Sequence, residues 1–129
     1  MPGRPHADHN EKLCDYLIKE GGFDDWVVTT AFYSAVHLVD HQIFPLTITP
    51  QPTFANFPQY YSRLPAPRPG RHEARKELVY QQLPKCYGAF SWLMDECHNA
   101  RYNDYQVPPD FAKRAKGALE KIKSVCTKT

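Results

Sequence analysis

Long apolar runs are missing from this sequence. No stretch approaches the roughly 20 consecutive apolar residues that a membrane-spanning helix needs. The opening residues, MPGRPHADHNEK, also lack the apolar core of a secretory signal. These absences predict a protein that does not cross a membrane and that resides in the cytoplasm.

Cysteine pairs and glycine-rich phosphate loops are also missing. No Cys-x-x-Cys pair occurs, so we expect buried free thiols rather than disulfides. No glycine-rich loop of the dinucleotide-binding or Walker type is present, and no segment shows a convincing strand pattern. The formal net charge is only +2, which excludes strong binding of polyanions by the molecule as a whole. The cysteines are Cys14, Cys86, Cys97 and Cys126.

The composition is that of one globular domain spanning residues 1–129. Apolar residues make up 42% and charged residues 23%, which differs from the low hydrophobicity and high charge of disordered chains. Basic residues gather in two places, which favours local positive faces. The middle cluster contains Arg63, Arg68, Arg71, Arg75 and Lys76, and the C-terminal one contains Lys113, Arg114, Lys116, Lys121, Lys123 and Lys128.

Apolar periodicity predicts an all-α, up-and-down bundle of four to five helices. The segment from 24 to 44 has apolar residues, Trp26 among them, over more than half its circumference, and it should form the most buried helix. Residues 45–70 contain 7 of the 12 prolines and should form a long crossover loop without regular structure, whose aromatic residues pack down in part. The other helices are expected at 6–20, from 71 to 83, from 84 to about 102, and after a cap at Asp110; those beginning at 71 and 84 are either one kinked helix or two.

Two histidines in the central helix raise the question of a metal site. His37 and His41 are one turn apart, the spacing by which a helix offers two ligands, and a third would come from His72, Cys97 or His98 only if the fold gathers them. The alternative places His37 in a hydrogen bond at the edge of the bundle and His41 in solvent. We favour this alternative, with no metal or cofactor.

A His-x-x-Arg pattern occurs twice, at His72–Arg75 and at His98–Arg101. Residues three apart share a helix face, so each pair places an imidazole beside a permanent cation. Cleavage of RNA by attack of the 2′-hydroxyl needs a proton acceptor, a proton donor and a cation on the phosphate, all of which His and Arg supply without metal. The alternative is that these are ordinary charged residues at helix ends, where Arg101 is favourable beside the terminal carbonyls.

The order of several motifs resembles the HEPN superfamily, in particular its small prokaryotic branch. After His9 come DWVVTTAFYSAVHLVDHQIF, RHEARKEL, an aromatic helix closing in NARYNDY, and an amphipathic helix. The second segment fits the Trp-x-Val-x-x-x-Phe-Tyr-x-Ala-x-His motif of that branch. The resemblance covers about residues 6–126, and the proline-rich segment is its poorest match.

The resemblance implies an all-α bundle that often forms two-fold dimers. In many members it also implies metal-independent RNA cleavage, frequently within toxin–antitoxin or anti-phage defence systems. The family signature is an arginine followed a few residues later by a histidine near the last helices. Here its only literal match is Arg4 to His9, and no histidine follows Arg101.

We therefore predict a HEPN-like ribonuclease with RNA as substrate, a homodimeric assembly, and an antitoxin or other protein as partner. Arg101 would hold the phosphate, His72 or His98 would act as general acid or base, and His37 is the further catalytic candidate. The residues predicted to position RNA are Arg71, Arg75 and Tyr102, whose ring could stack on an unpaired base. The alternative is a non-catalytic module that binds RNA, a nucleotide or a protein through the proline-rich loop.

Overall fold

The described part of the chain is helical. The computed structural model describes residues 3–103 and 106–128. Within these residues there are six α-helices and no strand beyond one isolated bridge, which confirms the predicted all-α bundle. The helices are α1 (Arg4–Glu20), α2 (Asp24–Ile43), α3 (Phe57–Ser62), α4 (Arg71–Gln82), α5 (Tyr87–Tyr102) and α6 (Pro109–Val125).

Helix α2 occupies the centre of the bundle, as its apolar pattern predicts. It packs against α1, α5 and α6, and every residue from Val27 to Phe32 is buried. The Ser34 hydroxyl donates a hydrogen bond to the Ala7 carbonyl oxygen at 2.8 Å, which satisfies a buried polar group and joins α1 to α2. Trp26 departs from the prediction, since half of its surface remains exposed at the N-terminal end of the helix.

The short helix α3 corrects the expectation that residues 45–70 have no regular structure. Asn56 caps this helix by accepting a hydrogen bond from the Gln59 amide at 3.0 Å, while the Gln59 side chain accepts one from the Ala55 amide at 2.8 Å. Pro58 in the first turn is compatible with a helix start. A high proline content therefore concealed a helix whose N-terminus is well capped.

The aromatic residues of this loop pack down onto the bundle, as expected. Leu46 and Phe54 face each other in an antiparallel bridge with two backbone hydrogen bonds of 2.8 Å, and both are buried. Phe57 is almost fully buried, and the Arg75 guanidinium carbon lies 3.9 Å from its ring centroid. The proline-rich loop is thus anchored to α4 through an aromatic ring and a cation.

The boundaries of the later helices settle one open alternative. Residues 71–82 and 87–102 form two helices separated by the 3₁₀ turn Pro84–Cys86, because Pro84 cannot continue the hydrogen bonding of α4. Helix α6 begins at Pro109, so Asp110 lies in its first turn and does not cap it as expected. Among the described residues, no helix has the length and apolar character required to cross a membrane.

The basic residues near the C-terminus are partly neutralised by α1. Lys116 and Lys123 on α6 contact the Glu11 carboxylate at 2.7 and 2.9 Å, and Lys116 also contacts Asp15 at 2.7 Å. Burial raises the pKa of the Glu11 carboxyl, but the two ammonium groups lower it by more. The net shift is downward, so this carboxyl stays ionised. This face joins α1 to α6 and offers a weaker positive field than the sequence indicates.

All four cysteines are buried free thiols, as predicted. The Cys14 Sγ donates a weak hydrogen bond to the Val27 carbonyl oxygen at 3.6 Å. Burial raises the pKa of the Cys14 and Cys97 thiols, which keeps both of them protonated and unreactive. Both are almost inaccessible to solvent, with Cys14 at 0% and Cys97 at 4% exposure.

Candidate functional site

A cavity of about 650 Å³ lies where the C-terminal half of α5 meets the first turn of α4 and the middle of α2. Its volume is in the range of ligand sites, roughly 300–1,000 Å³. Five of the residues predicted from sequence to act on or bind RNA line this single cavity: Arg71, His72, His98, Arg101 and Tyr102. Tertiary folding therefore gathers imidazoles and guanidinium groups from two helices around one space.

Arg101 stands in the last turn of α5 and is fixed by an aromatic partner from α2. Its Nη1 donates a hydrogen bond of 2.6 Å to the Tyr33 hydroxyl oxygen. The guanidinium carbon lies 5.4 Å from the Tyr102 ring centroid and 5.9 Å from that of Tyr33. Since the residue is exposed and only one of its five N–H donors is engaged by Tyr33, an anion can still be bound by the others.

His72 lies in the first turn of α4 with its ring edge against Phe32, at a centroid distance of 5.3 Å. Burial lowers the pKa of His72 from its ordinary value of 6.5, and the nearby charges of Arg75 and Arg101 lower it further. The imidazole is therefore neutral at pH 7. A neutral imidazole accepts a proton, which is the property required of a general base.

His98 and Tyr102 are one turn apart on α5 and face the same cavity. Their ring centroids are 5.0 Å apart, and 67% of the Tyr102 surface is exposed. The two rings, tilted by 44° to each other, provide an accessible aromatic wall beside Arg101. Such walls suit the stacking of an unpaired base.

Arg71 connects the cavity to the proline-rich loop. Its guanidinium carbon lies 4.8 Å from the Tyr61 ring centroid, and that of Arg68 lies 5.3 Å from the same centroid. The Tyr61 hydroxyl donates a hydrogen bond of 2.7 Å to the Pro69 carbonyl oxygen. The loop therefore holds one basic side chain at the rim of the cavity.

Two predicted site residues lie elsewhere. Arg75 is buried and donates through Nε and Nη2 to the two carboxylate oxygens of Asp40, at 2.9 and 3.0 Å. His37 stacks on His6 with ring centroids 3.8 Å apart and an interplanar angle of 18°. Neither is among the residues that line the cavity. Arg75 acts on the site through its charge, by lowering the pKa of His72.

The prediction that His41 is solvated is wrong. Its Nε2 is buried and has no hydrogen-bond partner within residues 3–103 and 106–128. The ring lies so close to Gly3 that a Cβ there would come within 3.2 Å of Nδ1, because the start of α1 covers this part of α2. In the same residues, no group of three or more His, Cys, Asp or Glu side chains is arranged to hold a metal ion.

Sequence reasoning missed four polar residues of the cavity wall: Tyr33, Glu73, Asp95 and Asn99. Spacing offered a signal for two of them, because Asp95 lies three residues before His98 and Asn99 three residues before Tyr102 on α5. Glu73 contacts Lys76 at 3.4 Å. The two carboxylates accept hydrogen bonds and repel phosphate, so the cavity contains cations for a phosphate and acceptors for the N–H groups of a base.

The arrangement provides the groups that phosphodiester transfer requires. Arg101 can bind phosphate oxygens, His72 can accept a proton, and His98 is a second imidazole in the same cavity. Comparison of the chain with protein-family models, curated proteins and solved structures finds no significant match. The chemistry of the cavity is therefore the basis for assigning a function.

The titration of His72 tests the electrostatics of the cavity directly. We expect a midpoint below pH 6.5 by NMR, and a rise toward 6.5 in Arg101→Gln, which removes one of the charges that depress it. Because the folded state binds this proton less tightly than the unfolded chain, the contribution of His72 to stability is complete above pH 6.5 and is lost as the pH falls.

The control for this titration is Arg114→Gln. Arg114 is an exposed cation whose guanidinium carbon lies 4.6 Å from the Trp92 ring centroid. It lines no part of the cavity. Its removal should leave the midpoint unchanged. A wild-type midpoint at or above 6.5 would contradict the electrostatic account of the site.

Proposed function

We propose that the protein is a HEPN-like, metal-independent ribonuclease that cleaves single-stranded RNA in the cavity between α2, α4 and α5. The observation that supports this proposal is the convergence of His72, His98 and Arg101 on one accessible space. Two imidazoles and a fixed guanidinium supply proton acceptor, proton donor and charge stabilisation without a metal.

In the proposed mechanism, Arg101 binds the non-bridging oxygens of the scissile phosphate. Neutral His72 takes the proton from the 2′-hydroxyl, whose oxygen attacks phosphorus. The bond from phosphorus to the 5′-oxygen breaks, and His98, in its protonated form, donates a proton to that leaving oxygen. The products are a 2′,3′-cyclic phosphate and a 5′-hydroxyl, and the guanidinium neutralises the charge that builds on the phosphate.

A metal-free cleavage assay tests the ribonuclease proposal. With a labelled single-stranded RNA in excess chelator, wild-type protein should cleave, and His72→Gln and His98→Gln should each lose about two to four orders of magnitude in rate. Arg114→Gln is the control, because Arg114 is an exposed residue of α6 that lies outside the cavity and outside the Arg4–His9 match. Wild-type rates in both cavity variants would refute the proposed catalytic roles.

A non-catalytic module that binds RNA or a nucleotide is the second candidate. It is favoured by the Arg101–Tyr33 hydrogen bond, which uses part of the guanidinium in the free protein, and by the absence of a histidine after Arg101 in the sequence. This candidate expects binding of single-stranded RNA that depends on Arg101 and Tyr102, with no cleavage products. The same assay therefore separates the two.

The proposal extends to the setting of the activity. We place the protein in the cytoplasm, a reducing compartment that suits four free thiols. We further propose a two-fold homodimer that brings two cavities to one cleft, and an antitoxin or other protein partner in a toxin–antitoxin or anti-phage defence system.

A further inference from the structure

A second, smaller groove lies on the other side of Arg101. It has a volume of about 190 Å³ and is lined by the N-terminal part of α2 and the end of α5. Arg101 lines both this groove and the large cavity, whereas the other lining residues belong to one or the other. The groove residues are Asp25, Trp26, Thr29, Ala100 and Arg101.

The wall of this groove is an indole with an open face. Trp26 is 52% exposed, and within the described residues its ring makes no contact with another ring or with a cation. The other tryptophan differs, because Trp92 is partly buried between Phe111, at a centroid distance of 5.7 Å, and Arg114. Trp26 is thus the tryptophan with a surface available to a ligand.

The polar groups of the groove indicate which part of a ligand it accepts. The Thr29 hydroxyl is already used, since it donates a hydrogen bond of 2.8 Å to the Asp25 carbonyl oxygen. The Asp25 carboxylate repels phosphate, and Arg101 is the one cation among the lining residues. A phosphate therefore belongs at Arg101, and the space over Trp26 suits a flat, uncharged base.

We propose that Trp26 is the stacking platform for the nucleotide on the far side of the phosphate bound by Arg101. One nucleoside then occupies the large cavity, the phosphate meets Arg101, and the neighbouring base lies on Trp26. This inference rests on the proposed binding of RNA at Arg101, and it adds that the recognised unit is a two-nucleotide step of a single strand. It assigns Trp26 to substrate positioning.

Tryptophan fluorescence tests this assignment without requiring turnover. In a Trp92→Phe background, a 2′-O-methyl dinucleotide, which cannot be cleaved by 2′-hydroxyl attack, should quench Trp26, and a nucleoside 3′-monophosphate should not. Trp26→Ala should weaken dinucleotide binding about tenfold or more and leave the monophosphate unaffected, because only the dinucleotide supplies a second base. Trp26→Phe should restore most of the lost affinity.

Tyr80→Ala is the matched control, because Tyr80 is also an exposed aromatic residue, 63% accessible, that packs on Tyr87 and lines neither groove. The inference would be overturned by unchanged dinucleotide affinity in Trp26→Ala, or by no binding of either ligand. It would also be overturned if Trp26→Ala lost self-association and kept its affinity for RNA. Quenching without cleavage of ordinary RNA would support the platform and refute the nuclease. Cleavage of ordinary RNA that is unchanged in Trp26→Ala would support the nuclease and refute the platform.

Discussion

Arg101→Ala is expected to lower metal-free RNA cleavage by about two to three orders of magnitude, the loss found when a preorganised donor to a developing oxyanion is removed. The guanidinium is held at its position by the Tyr33 hydroxyl and lies beside the Tyr102 ring. Alanine removes the charge and its five donors together. Single-turnover rates with a labelled single-stranded RNA in chelator would measure the loss.

Two variants separate charge from position in this experiment. Tyr33→Phe keeps the guanidinium and removes the hydroxyl that accepts its hydrogen bond, so it should reduce the rate less than Arg101→Ala does. Arg114→Ala removes an exposed arginine on α6 and should leave the rate unchanged. Equal rates for wild type and Arg101→Ala would rule out phosphate stabilisation by this residue.

Asp40→Ala is expected to destabilise the fold by about 3 kcal/mol, because it leaves the Arg75 guanidinium buried without its partner. Burial raises the pKa of Asp40 even though Arg75 acts to lower it. The bidentate pair with Arg75 therefore offsets only part of the desolvation cost of the ionised Asp40 carboxylate. Urea unfolding should show a lower midpoint with a similar slope, and thermal unfolding should shift down by roughly 10 °C.

Asp8→Ala is the matched control, since Asp8 pairs with Arg4 on the exposed face of α1 at 3.2 Å. It should change stability by at most about 0.5 kcal/mol. Asp40→Leu combined with Arg75→Met should recover most of the lost stability, because it removes both charges from the interior. A stability for Asp40→Ala within 1 kcal/mol of wild type, roughly the cost of an exposed pair, would contradict the account of this ion pair.

The double variant also decides the role of Arg75. The sequence places it one turn from His72 and so predicts contact with RNA. The structure turns its guanidinium toward Asp40, on a helix distant in sequence, and over the Phe57 ring. If Arg75 does not contact RNA, the double variant should bind RNA with wild-type affinity at a pH well above 6.5, where His72 is neutral with or without the Arg75 charge.

The parts of the fold that depend on local patterns were predictable. Apolar spacing revealed α2 and α6, and the i, i+3 and i, i+4 relations on α5 placed His98, Arg101 and Tyr102 on one face. Helix α3 escaped because the prolines around it suggest irregular structure, although Asn56 and Gln59 have the spacing of a capping box. Pairings between distant segments, such as Arg101 with Tyr33 and Arg75 with Asp40, have no signature in sequence spacing.

The exposure of Trp26 also has no signature in the sequence. Its position in the apolar pattern of α2 indicates a core residue, because hydropathy records the type of side chain and not whether a neighbouring helix covers it. The end of α5 leaves Trp26 open beside Arg101. Whether an indole stays uncovered beside a cation depends on the tertiary structure.

The hydrogen bond from Tyr61 to Pro69 divides the proline-rich loop into two parts, which should differ in how well they tolerate changes of length. The outer part, around the Thr47–Thr53 contact, is exposed and does not line the cavity. The part from Tyr61 to Gly70 leads directly into Arg71 and His72, and Tyr61 is fastened to Pro69. We therefore expect insertions in the outer part to be compatible with the site. An insertion or deletion of one residue in the inner part should displace the entrance of the cavity.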